Sequence, residues 1–288
     1  MYKIDFFPGS HGHFLELVIN TFVAQRPFDF DRPLFDENGA CHLHLSYGDP
    51  RYNPVVFCKH YSFWNVDFDI NDLVIEIHVS PDYMLAALTN NLVRAGDQPI
   101  DLYHLDVDTY KKLTTFPKGG PILDYLQTHH GGQDHYPRST LRKYFYQWFS
   151  DSSYLNDTFN KFNHRGKKHT FPFRSMFSLD EFYKSLDQSA EFLGFKFTPD
   201  DRLIKFWEDF LSCNQGYHSH VKCNQIMQSL STNVCMNLTD LSVIEEAWLA
   251  HCISQQFSQY TSVELLENFP SSTEVILEKI NPVISRVN

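Results

Sequence analysis

Residues 2–7 form an aromatic and apolar run that Pro8-Gly9 stops. From there Phe14, Leu15, Leu17, Val18, Phe22 and Val23 recur at helical spacing, so the pattern predicts strand, tight glycine-containing loop, helix. A second apolar core, Pro54-Val55-Val56-Phe57-Cys58, ends at Lys59-His60. Residues 73–79 are the clearest strand, rich in β-branched side chains. Ser80 then stands as an N-cap with Pro81 at the first helical position, and the helix runs on through 84–93 to a stop at Gly96. Strands alternating with helices predict an α/β fold, a parallel sheet with crossover helices. The second half changes character, with helices predicted over 138–149, 179–193, 200–211 and 241–257. Ser178 with Glu181, and Ser242 with Glu245, have the Ser-x-x-Glu spacing of a capping box. Residues 114–136, with Gly119-Gly120 and Gly131-Gly132, read as an irregular loop or lid. The chain reads as one domain over 1–288: a sheet core at 1–113, the lid, and a mainly helical part at 137–288.

Composition adds two constraints. Aromatic residues make up 16% of the 288, with 26 Phe, 15 Tyr and 4 Trp, which suits a core or pocket walls built of rings. Lys and Arg number 24 against 35 Asp and Glu, a net charge of −11. That balance leaves no polybasic footprint for nucleic acid and favours neutral or cationic small molecules. No run of about 18 apolar residues calls for a membrane span, and residues 1–9 lack the pattern of a secretory signal. The six cysteines, Cys41, Cys58, Cys213, Cys223, Cys235 and Cys252, include no CxxC pair and read as reduced thiols. A cytoplasmic protein is expected.

The strongest local signal is Phe7-Pro8-Gly9-Ser10-His11-Gly12-His13-Phe14-Leu15. A glycine-rich turn between a first strand and a helix aims backbone N–H groups at one point, and the helix dipole favours phosphate or sulfate oxygens there. The bland alternative is a tight turn that needs glycine for its backbone angles. Neither GxxxxGK[ST] nor GxGxxG is present.

The loop resembles the 5′-phosphosulfate-binding loop of sulfotransferases, Pro-Lys-Ser-Gly-Thr-Thr-Trp-Leu: Pro8, Ser10 and Leu15 match, and Phe14 stands at the Trp. Lys59-His60 is similar to the family's Lys-x-His segment, and the strand running into Ser80-Pro81-Asp82 to its Arg-x-Pro-x-Asp. Phe171-Pro172-Phe173 and the stretch from Leu179 to Gly194-Phe195 look like its Phe-containing helix and Leu-Gly turn. The resemblance spans much of 2–211 in outline. It implies a P-loop/sulfotransferase-like fold, with 3′-phosphoadenylyl sulfate as donor and adenosine 3′,5′-bisphosphate as product. It also implies a donor site at Gly9, Ser10, His11, Gly12, His13, Phe14, Ser80 and Thr89. A side chain at Gly12 is expected to fill the phosphate position. Several positions depart from the family: Gly9 stands at its loop lysine, Val79 at its arginine, and Thr89 lies only near the place of its serine.

Sulfuryl transfer needs donors for the charge on the transferred group, a base for the acceptor and exclusion of water. His60, at a strand's C-terminal edge, is the candidate base; the alternative is a histidine hydrogen-bonded among Tyr61, Phe63 and Trp64. Lys59 is the candidate replacement for the loop cation, although strand alternation can turn it away from His60. His11 and His13 can donate to a sulfate oxygen. Arg138, Arg142 and Lys143 can reach a 3′-phosphate or form a solvated helix face. Cys41, His42, His44, Cys58 and His60 include zinc-ligand types but match no zinc template, so no metal site is expected. The acceptor expected is a small hydroxyl- or amine-bearing compound, with no nucleic-acid or membrane partner. Two rivals remain: a non-catalytic binding protein on a degenerate sulfotransferase-like scaffold, which explains the missing Lys and Arg, and another nucleotide-dependent transferase such as a small-molecule kinase. The kinase needs Mg²⁺ and an acidic ligand near the loop, for which Asp5 and Glu16 are poor candidates.

Overall fold

The computed structural model describes residues 2–7, 9–28, 54–59, 71–93, 138–150, 167–232 and 240–256, with Asp69, Leu238, Phe269 and Ile276 besides. The chain divides into two compact units, each made of two separated stretches: Met1–Asn91 with Ser153–Tyr217, and Leu92–Ser152 with His218–Asn288. The expected consecutive parts, 1–113, 114–136 and 137–288, do not follow this division.

The first unit holds a parallel sheet. Its strands are β1 (Tyr2–Asp5), β2 (Val56–Lys59), β3 (Leu73–His78) and β4 (Lys167–Pro172), in the order β2-β1-β3-β4. Ile4 of β1 lies level with Cys58 on one side and Ile75 on the other. The expected α/β architecture is present, with helices flanking the sheet and a helical C-terminal half. β4 falls within the part expected to be mainly helical. It is an edge strand of the described sheet carrying Lys167, Lys168 and a terminal Pro172, and half of its residues are exposed, so it lacks the apolar run of an interior strand. Lys168 pairs with Glu76 of β3. Lys3 and Asp72 pair at 2.5 Å and join β1 to the start of β3. Burial tends to raise the Asp72 carboxyl, but Lys3 and the Asp69 N–H hold it below the usual carboxylate range.

Helix α1 (Gly12–Val18) follows β1 and continues as a π-helical turn, Ile19–Val23. A 3₁₀ turn, Pro81–Tyr83, leads into α2 (Met84–Val93), and Ser80 is its N-cap without a side-chain hydrogen bond. In the other unit α3 (Arg138–Ser150) begins at Arg138, where a helix is expected. Back in the first unit, α4 (Leu179–Leu193) ends on Gly194 at φ +78°, where Phe195 N–H bonds the Ala190 carbonyl and Gly194 N–H that of Glu191. This left-handed close favours glycine. α5 (Asp201–Cys213) is capped by Asp200, whose carboxylate accepts from Arg202 N–H at 2.8 Å.

Ring packing accounts for much of the aromatic excess in this unit. Phe14 is fully buried and lies nearly parallel to Phe182, Phe206 and Phe210, with centroids 5.7, 5.3 and 3.9 Å away. Phe171 and Phe173 are also fully buried. Such stacks contribute about 0.5–1.5 kcal/mol per pair beyond burial. Phe14, expected at the donor, is therefore a core residue joining α1 to α4 and α5.

The second unit contains α3, α7 (Val243–Gln256) and most of α6 (Gln215–Thr232). Phe149 of α3 meets Trp248 of α7 edge-on at 4.9 Å, and Tyr146 hydrogen-bonds Ser254 at 3.0 Å. At the start of α7 the predicted capping box closes: Ser242 N–H donates to Glu245 Oε2 at 2.8 Å and Glu245 N–H to Ser242 Oγ at 3.3 Å. The box predicted at Ser178 does not form. Ser178 caps α4 without a side-chain hydrogen bond, and Glu181 lies 3.7 Å from Arg174.

Candidate site at the β1–α1 loop

β2 follows β1 on one side and β3 returns on the other, so the loop leaving β1 sits at the switch point of the sheet, at its C-terminal edge. Ligands of open parallel sheets bind there. The loop turns through two left-handed residues, Gly9 at φ +88° and His11 at φ +59°. For a histidine that conformation costs on the order of 1 kcal/mol and persists only where the surroundings hold it.

The surroundings are three buried side chains. His11 is 5% exposed, and its Nε2 lies 2.7 Å from Asn90 Nδ2 and 2.8 Å from Asn214 Nδ2. The amide orientations are set by their oxygens, since Asn90 Oδ1 accepts from Gly216 N–H and Asn214 Oδ1 from Tyr217 N–H. Both amides thus turn their N–H groups to Nε2, which leaves the ring proton on Nδ1. The ring also meets Phe210 edge-on at 4.8 Å. Asn90 further donates to the Gly9 carbonyl at 3.3 Å. His11 Nε2 is thus committed to holding the loop onto α2 and the start of α6.

Two more residues here have internal roles. Ser10 is fully buried, and its hydroxyl and N–H both donate to the Phe7 carbonyl, at 2.7 and 2.9 Å. A Cβ at Gly12 would fall on the Phe6 ring, so that direction is filled by the chain itself rather than left for a phosphate. Gly12 is required by close packing.

On the other face of α1 a polar stripe runs through a buried helix: His13, Glu16 and Asn20, at i, i+3 and i+7. Asn20, in the π turn, donates to the carbonyls of Glu16 at 2.9 Å and Val56 at 2.8 Å. Its Oδ1 accepts from Val55 and Val56 N–H at 2.8 and 3.1 Å. N–H and C=O of one strand residue point the same way, so Asn20 satisfies the side of β2 that faces away from β1. Two residues on, Cys58 Sγ lies 2.7 Å from His13 Nδ1 and 2.5 Å from Glu16 Oε2, with 3.5 Å between the last two atoms. Glu16 and Cys58 are buried at 0% and 5% exposure. Among the described residues this is the group of His, Cys, Asp and Glu that could hold a metal ion.

Of the other expected site residues, Ser80 is half-buried, and Thr89 is buried in α2 with no hydrogen-bond partner for its hydroxyl. Arg142 pairs with Glu246 at 2.8 Å in the second unit. His60, the side chains of Lys59 and Arg138, Cys41, His42, His44 and the 114–136 lid lie outside the described residues. No described helix is long and apolar enough to cross a membrane. Comparison of the chain with family models, curated proteins and solved structures returns no match.

Proposed function

We propose that the chain is a cytoplasmic sulfotransferase that moves a sulfuryl group from 3′-phosphoadenylyl sulfate to a hydroxyl or amine of a small neutral or cationic acceptor. The observation that carries this is the loop from β1 to α1: a turn strained at His11 and clamped by Asn90 and Asn214, at the C-terminal edge of a parallel sheet. Backbone so held can bind an anionic sulfate or phosphate group without reorganising. On this reading the donor is held by backbone N–H groups of the loop rather than by side-chain charge, because Gly9 and Val79 carry none. When bound, the donor supplies an activated sulfuryl group. On this reading the chain orients it at the loop and takes the acceptor's proton on His60.

A second reading is a binding scaffold without transfer activity, favoured by the Phe6 ring over Gly12 and the inward commitment of Ser10 and His11. A thermal-shift panel of adenosine 3′,5′-bisphosphate against ATP-Mg²⁺, joined to release of labelled sulfate from the donor into acceptors, separates them. Bisphosphate at about a hundredfold its Kd adds about 2.7 kcal/mol, a rise of about 5–10 °C. No shift with the bisphosphate refutes the donor assignment. A shift without transfer to any hydroxyl or amine supports the scaffold.

A further inference from the structure

We propose that His13, Glu16 and Cys58 bind one zinc ion through His13 Nδ1, one Glu16 carboxylate oxygen and the Cys58 thiolate, the three ligands that the described residues supply. The site is independent of the sulfuryl-transfer proposal.

The donor set selects the ion. Thiolate, imidazole and carboxylate together suit zinc and are poor ligands for Mg²⁺ or Ca²⁺. One of the three separations between ligand atoms already suits zinc. Bond lengths of about 2.3 Å to sulfur and about 2.0–2.1 Å to nitrogen and oxygen put tetrahedral ligand atoms about 3.3–3.6 Å apart. His13 Nδ1 and Glu16 Oε2 already stand 3.5 Å apart. Cys58 Sγ, at 2.7 and 2.5 Å from them, needs to withdraw by about 1 Å.

Charge balance points the same way. A fully buried carboxylate is costly unless compensated. Zn²⁺ with ionised Glu16, the Cys58 thiolate and a neutral His13 sums to zero, and the thiol proton leaves to solvent on binding. The frame is rigid: His13 and Glu16 sit one turn apart on α1, and Asn20 ties that helix to β2 two residues before Cys58.

Metal-free full-length protein under reducing conditions is titrated with Co²⁺, and the zinc form is examined by X-ray absorption. The expected result is one equivalent of cobalt with a sulfur-to-cobalt charge-transfer band and four-coordinate ligand-field bands. The charge-transfer band is lost in Cys58→Ser, and affinity falls about 100-fold or more in Glu16→Gln. The wild-type zinc spectrum, which needs no variant to fold, should show one sulfur at about 2.3 Å and the remaining ligands at about 2.0–2.1 Å. A wild-type zinc shell without sulfur or with more than one, a charge-transfer band unchanged in Cys58→Ser, or failure to bind one equivalent would each overturn the site.

Discussion

Replacing Asn20 by Leu keeps the size of the side chain and removes four hydrogen bonds, two donated and two accepted. Val56 is fully buried, and its N–H and C=O would then face an apolar side chain that also keeps water out. Each orphaned buried group costs about 1–3 kcal/mol. Val55 is only half-buried, so its N–H can recover a water. The apolar gain from Leu offsets about 1–2 kcal/mol. The net loss is about 2–4 kcal/mol, or roughly 5–15 °C in Tm. Thermal unfolding followed by circular dichroism measures it against Lys184→Gln, an exposed change expected to stay within about 0.5 kcal/mol. A loss below about 1 kcal/mol for Asn20→Leu would mean that Asn20 does not hold β2 to the helix. The same variant should weaken cobalt binding, because Cys58 rides on that strand.

Three further outcomes follow from the packing. Gly12→Ala should destabilise by about 1–3 kcal/mol through overlap with the Phe6 ring, and Phe6→Ala combined with it should cost less than the sum of the two, read by denaturant unfolding. Ser242→Ala should lose about 1 kcal/mol of stability because its capping box is closed, whereas Ser178→Ala, with no cap bond to lose, should change Tm little. Burial lowers the His169 imidazole below its ordinary pKa, so the unfolded chain takes up that proton first. Stability should therefore fall as pH drops below about 6.5, and His169→Gln should flatten that slope in unfolding measured from pH 8 to 5.

Much of the first unit is legible in the chain because the signals are local. The β-branched run at 73–78 and the apolar positions after Gly12 announce β3 and α1 wherever they pack. α6 is not announced. Its inward positions, Cys223, Ile226 and Leu230, are buried, but they are spread among Gln, Asn, Ser and His, and Gly216 near its start reads as a turn. The Ser-x-x-Glu motif names a helix start at both 178 and 242, yet only the tertiary surroundings decide whether the side chains reach back. Gly12 opens α1 rather than lying in the loop, and its necessity comes from Phe6, a contact that spacing does not encode. The His13, Glu16, Cys58 group joins residues more than forty positions apart. What the sequence does carry is the polar stripe at 13, 16 and 20 within an otherwise apolar helix, which marks a face turned toward polar partners.

A crystal structure grown with saturating adenosine 3′,5′-bisphosphate tests most directly whether the β1–α1 loop is the donor's anion site. The 5′-phosphate is expected within hydrogen-bond reach of backbone N–H groups between Gly9 and Phe14, with the His11, Asn90 and Asn214 contacts intact. Bisphosphate bound elsewhere, or a loop that takes up no ligand at saturation, would contradict it.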